Sequence, residues 1–140
     1  MAIKSPKNKG SAGEREVVAL LTGWAAEVGV DLFLDRNLEQ VRYGGADVNG
    51  VPGLEVEVKR VEKLDVNAAW RQVCKACDRS GKRPFLIHRR NRQKWNVRVG
   101  LYAAEYDDDH NGVTVPLVVD LTVEQAKVWF QTYLKQRKLT

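Results

Sequence analysis

The segment Leu54-Glu55-Val56-Glu57-Val58-Lys59 alternates apolar and charged residues. This is the period of a β-strand, whose side chains point to opposite faces in turn. The pattern predicts a strand with one buried and one charged face, and it puts Glu57 and Lys59 on the same side. Just upstream, Gly44-Gly45-Ala46-Asp47 reads as a turn that delivers a second carboxylate. Asp47-Val48 reads as a short strand, followed by the two-residue turn signal Asn49-Gly50, which Pro52-Gly53 extends. The two strands are expected to form a hairpin that gathers two carboxylates and an ammonium. Such a trio makes a compact site for a divalent cation and a phosphate.

The remaining elements follow from periodicity and caps. Residues 1–10 hold Lys4, Lys7 and Lys9 and few apolar side chains, and read as a basic N-terminal arm. Ser11-Ala12-Gly13-Glu14 matches a capping box, so a helix is expected to start at Ser11. Its buried stripe is Val17, Leu20, Leu21, Trp24 and Val28, and Gly29 ends it. Residues 30–34 read as a first strand and 35–45 as a polar loop with two arginines. Asp65 or Asn67 caps a second helix with the stripe Val66, Ala69, Trp70, Val73, Cys74 and Cys77, closed by Gly81. Strands are expected at 84–88, around Trp95, Val97 and Val99, and at 113–119, with an exposed loop at 107–112. Thr122-Val123-Glu124-Gln125 opens a last helix carrying Ala126, Trp129, Phe130, Tyr133 and Leu134. The order predicts an α/β fold, a mixed sheet flanked by helices, with one parallel crossover between the third and fourth strands.

Length and composition set the frame. The chain has 140 residues, which predicts a single domain over 1–140 with room for a core. A net charge of +5 favours an anionic partner, though only mildly. No apolar run approaches the roughly 20 residues that span a bilayer, and the N-terminus lacks a signal peptide's apolar core. An intracellular protein with no membrane partner is expected. With two cysteines, Cys74 and Cys77, there is no disulfide framework and too few ligands for a structural zinc. Both fall on a helical apolar stripe, where burial as small hydrophobes is the simpler reading.

Phosphodiester hydrolysis needs a positioned water, a neutralised phosphate and help for the leaving oxygen, and Mg²⁺ can supply all three. Mg²⁺ keeps several waters and needs few carboxylates. Asp47, Glu57 and a backbone carbonyl near Val58 can hold one ion, and Lys59 can orient the water or offset charge on the phosphorane. The competing reading makes Glu55, Glu57 and Lys59 the solvated face of an amphipathic strand. The Asp47 turn favours the site.

The order Lys9-Gly10-Ser11-Ala12-Gly13-Glu14-Arg15-Glu16-Val17-Val18, then Asp47, then Glu57-Val58-Lys59 resembles the PD-(D/E)xK nuclease superfamily. More narrowly it resembles the archaeal-type Holliday junction resolvases, which also occur in viruses. The resemblance covers about residues 7–60, with agreement in element order to about residue 90. It implies a restriction-endonuclease-like fold, metal ligands Asp47 and Glu57, catalytic Lys59, and Mg²⁺ as cofactor with Mn²⁺ as a substitute. It also implies a homodimer that cuts four-way junctions in branched DNA, with a virus-encoded protein of a prokaryotic host as one setting. Glu14 would touch the metal directly or through water, or else serve only as the capping-box Glu. Glu16 points about 200° around the helix from Glu14, so both cannot face one site. Ala46 replaces the proline of the family motif, and the family's flexible Ser/Gly loop has no clean counterpart, residues 36–45 standing in its place.

Several cations are candidates for DNA phosphates. Lys7 and Lys9 lie on the arm, and Arg15, Arg36 and Arg42 would flank the scissile bond. Arg89, Arg90 and Arg92, in the run Arg89-Arg90-Asn91-Arg92-Gln93-Lys94, would bind a second DNA arm. Solvated loop charge is the bland alternative for each. Gln72 could approach the site or be a surface residue. Three other functions stay open: a restriction- or repair-type nuclease on duplex DNA, a non-catalytic nucleic-acid-binding module of the same fold, and a cysteine-based metal or redox protein.

Overall fold

A computed structural model describes residues 6–37 and 46–137. The elements are α1 (Pro6–Glu27), β1 (Asp35–Arg36), β2 (Val48–Asn49), β3 (Leu54–Arg60), α2 (Val66–Ser80), β4 (Arg83–Arg89), β5 (Asn96–Tyr106), β6 (Gly112–Thr122) and α3 (Val123–Gln136). The strands form one sheet in sequence order, β1 to β6. All neighbours pair antiparallel except β3 and β4, which are parallel and joined through α2. This is the expected mixed sheet with its single crossover.

α1 and α3 cover one face. Val17, Leu21 and Trp24 of α1 and Ala126, Phe130 and Leu134 of α3 close over Val56, Phe85, Ile87, Val97 and Val99 of the sheet. α2 covers the opposite face, where Ala69 and Val73 meet Leu86. Asp65 caps α2 by accepting the Ala68 N–H at 3.0 Å, and Gly81 ends it at φ 73°. Thr122 and Gln125 form the reciprocal capping box of α3. The Trp129-Phe130-Tyr133 cluster is mostly core, with Phe130 fully buried and Trp129 stacked on Tyr133 at 5.3 Å.

Five expectations are corrected. α1 starts at Pro6, so residues 6–10 are helix rather than arm and Ser11 sits inside it instead of capping it. Proline suits a first helical turn, where an N–H has no partner anyway. Residues 30–34 form no strand, and the first strand is the two-residue β1. The reversal between β2 and β3 is made by Pro52-Gly53 and not by Asn49-Gly50. Leu54 N–H donates to the Val51 carbonyl at 3.3 Å, and Gly53 has φ 75°, which suits Pro-Gly at the centre of a type II turn. β5 and β6 run eleven residues each, well past the expected ends. Finally, β3 has two buried faces. Glu55 and Glu57 are buried like Val56, because α2 closes over the side they occupy. A crossover strand inside a layered α/β sheet is covered on both sides.

Candidate active site

Asp47 lies just ahead of β2, whose pairing puts Val48 opposite Val56. Alternation then sends Asp47 to the α2 side of the sheet, the side of Glu57 and Lys59. Several bonds hold it there. Its N–H donates to the Val56 carbonyl at 2.9 Å, and its own carbonyl accepts the Asn37 N–H at 2.9 Å. Oδ2 accepts the Val58 N–H at 2.8 Å. The Asn37 amide also donates to the Ala46 carbonyl at 2.8 Å.

The Glu57 carboxylate meets Lys59 Nζ at 3.2 Å. Asp47 is only 5% exposed and Glu57 only 9%. Burial is the largest cause that pushes the Asp47 carboxyl up from 3.8 to about 7. Repulsion from Glu57 and, more weakly, Glu14 adds to it, while the Val58 N–H and Lys59 oppose it. One lysine does not offset the carboxylates around it, so the cluster carries excess negative charge.

Glu14 approaches from α1, and its partner is not the Ser11 N–H that the capping reading gave it. Arg36 Nε donates to Glu14 Oε2 at 2.8 Å, and Arg36 Nη2 donates to Ser11 Oγ at 2.9 Å. Glu14 is therefore tied to β1 and does not cap the helix. Among the described residues no three His, Cys, Asp or Glu side chains form a metal-binding group. The donors that fit a metal are Asp47 and Glu57, with Glu14 behind Arg36. Two carboxylates suffice for Mg²⁺, which keeps most of its waters.

The predicted DNA contacts separate. Arg15, Arg90 and Arg92 are exposed. Arg36 is committed to Glu14 and Ser11. Arg89 turns inward: it shares Glu16 with Arg60 and lies 5.1 Å over the Trp95 ring. Arg42, and the side chains of Lys7 and Lys9, lie outside the described residues. Gln72 is exposed on the outer side of α2. Cys74 and Cys77 are partly buried, and burial together with Glu55 drives the Cys77 thiol up to about 12, which makes it inert.

Asn37, Arg36, Ser11 and the Glu16–Arg60–Arg89 cluster are the supporting residues that the sequence did not reveal. Each acts across 9 to 73 positions of chain, and no local motif marks them. His88, opposite Lys59 in the β3–β4 register, is a further neighbour. Burial holds its imidazole below the usual histidine range, opposed by Asp120.

Among solved structures, Hjc, a Holliday junction resolvase from the archaeal hyperthermophile Archaeoglobus fulgidus, is similar at 18% identity and a TM-score of 0.43, over 64% of this chain and 70% of that one. No curated protein matches the chain in sequence. The family model described as phage putative PDDEXK endonuclease matches residues 5–135, and the chain therefore belongs to that family.

Proposed function

We propose that this endonuclease is a Mg²⁺-dependent, structure-selective enzyme that resolves four-way DNA junctions as a homodimer. The observation that carries the chemistry is the pairing of two buried carboxylates, Asp47 and Glu57, beside a single lysine on adjoining strands. In this reading Asp47 and Glu57 hold the metal, and Mn²⁺ can substitute. The bound ion supplies Lewis-acid charge for the phosphate and lowers the pKa of water. Lys59 Nζ, tethered by Glu57, offsets charge on the phosphorane and orients the attacking water. Val58 N–H fixes one oxygen of Asp47, so the carboxylate is aimed before metal arrives. Arg36 neutralises Glu14 and keeps a third negative charge from crowding Asp47. Arg15, Arg90 and Arg92 contact phosphates.

The test compares a labelled synthetic four-way junction with linear duplex of the same sequence, in Mg²⁺ or in EDTA. Paired, symmetric nicks on the junction alone, lost in EDTA, are expected. Equal cutting of both substrates would replace junction selectivity with general nuclease activity. Binding without cutting in every divalent metal would make the protein a DNA-binding module.

A further inference from the structure

Beyond Val99 the β5–β6 hairpin leaves the sheet. β4 pairs with β5 only from His88 opposite Asn96 to Phe85 opposite Val99. From Gly100 onward the ribbon is two strands alone, Leu101 opposite Leu117 and Tyr106 opposite Gly112. A lone two-stranded ribbon is marginal in water unless something packs on it. This one exposes apolar side chains on both faces. Tyr102 and Val118 share the α2 side at 73% and 57% exposure, and Val113 and Leu117 face the other way at 64% and 45%.

Its charge is as unusual as its polarity. From Val99 to Ala126 the chain has no Lys or Arg, and the tip carries exposed Glu105, Asp107, Asp108 and Asp109. In a chain of net charge +5, such a ribbon is repelled by a phosphate backbone and cannot be a DNA arm. The opposite charge lies on α2. Arg71, Lys75 and Arg79 recur every fourth residue, which aligns them as one exposed stripe, and exposed Lys82 extends it. None of the four forms an ion pair among the described residues, whereas Lys94, Arg98 and Lys127 all do. A groove of ≈ 470 Å³ lies between α2 and the root of the ribbon, lined by Trp70, Cys74, Cys77, Tyr102 and Val118.

We propose that the ribbon of one copy docks on α2 of a second copy, and reciprocally. The acidic tip meets the Arg71-Lys75-Arg79 stripe, and the ribbon's apolar face closes the Trp70 groove. The Tyr102 and Val118 face of the ribbon and the α2 stripe lie on the same side of the sheet, so the two contacts are reciprocal under one two-fold rotation. The tip is at the end of the sheet remote from the active site, since β5 starts at Asn96 beside His88 and runs away from Lys59. The inference takes from the resolvase reading only that two copies act together.

The test is the molecular mass in sedimentation at low salt without DNA, so it can fail or succeed independently of cleavage. Wild type is expected at twice 15.8 kDa. One variant carries Asp108→Lys and Asp109→Lys, sparing Asp107, whose carboxylate accepts the Asp109 and Asn111 N–H groups that shape the turn. The other carries Arg71→Glu, Lys75→Glu and Arg79→Glu. Each alone is expected to weaken dimerisation by about 100-fold or more. Mixed together they restore the dimer, because each reversed tip then faces a reversed stripe of opposite sign. The same recovery shows that both variants are folded. A monomeric wild type overturns the proposal, and so does a mixture that stays monomeric. Retention of the dimer by the α2 variant with loss of DNA binding overturns it too, and assigns the stripe to DNA.

Discussion

Replacing Asp47 with asparagine should stabilise the metal-free protein while destroying its activity. In the folded chain burial and Glu57 lift the Asp47 carboxyl from 3.8 to about 7. The native state thus holds its proton more tightly than the unfolded chain does, and stability falls as pH rises from about 4 to about 7. Each pKa unit corresponds to about 1.4 kcal/mol, so the displacement sets a ceiling of about 4 kcal/mol on the cost of the charge above pH 7. The neutral amide of Asp47→Asn would remove that cost and still accept the Val58 N–H. Losing the charge-assisted character of that bond takes back about 1 kcal/mol, and relaxation around the site takes more. A net gain of about 2 kcal/mol is expected at pH 8. With a slope near 2 kcal/mol per molar, this moves the urea midpoint in EDTA up by about 1 M at unchanged slope. At pH 4 the two midpoints should nearly coincide. In Mg²⁺ the order should shift, because the ion stabilises only the wild type. A variant no more stable than wild type at pH 8, or equally stabilised at both pH values, would refute the view of Asp47 as a strained, cation-seeking carboxylate.

Glu57→Ala is expected to lower cleavage by at least ~100-fold while junction binding survives, because it removes a metal donor and the tether of Lys59. Loss of binding along with cutting would assign Glu57 a structural role. Arg36→Ala frees Glu14 beside Asp47 and breaks a partly buried pair, so thermal unfolding should report a loss of about 1–2 kcal/mol together with slower cleavage. An unchanged melting temperature would mean that the Arg36–Glu14 contact contributes nothing. Arg90→Gln with Arg92→Gly should reduce the slope of log Kd against log salt by about 2. It should cost no stability, since Arg92 sits at φ 62° in a turn that glycine adopts freely. An unchanged slope removes both residues from the interface.

The grouping of Asp47, Glu57 and Lys59 was legible because these residues are close in sequence. Asp47 follows a glycine pair, and Glu57 and Lys59 share a face by the two-residue period of the strand that bears them. The helices declared themselves through caps, Asp65 and Gly81 for α2 and Thr122 with Gln125 for α3. The Ser11–Glu14 capping box was a false signal of the same kind. Its two side chains are instead engaged by Arg36, from 22 to 25 positions away, and a local motif cannot report a distant competitor.

What the sequence by itself determined is therefore the element order, the crossover and the shared face of Glu57 and Lys59, since these rest on local propensity and on periods of two and 3.6 residues. Tertiary structure decided everything that depends on what lies across the sheet. It buried Glu55 and Glu57 under α2 where alternation predicted only a charged face, raised the Asp47 carboxyl, turned Arg89 inward onto Glu16 and Trp95, and left the β5–β6 ribbon bare. The physical reason is that desolvation, charge pairing and unsatisfied apolar area depend on neighbours in space. An alternating strand looks the same in sequence whether its charged side faces water or the inside of another layer.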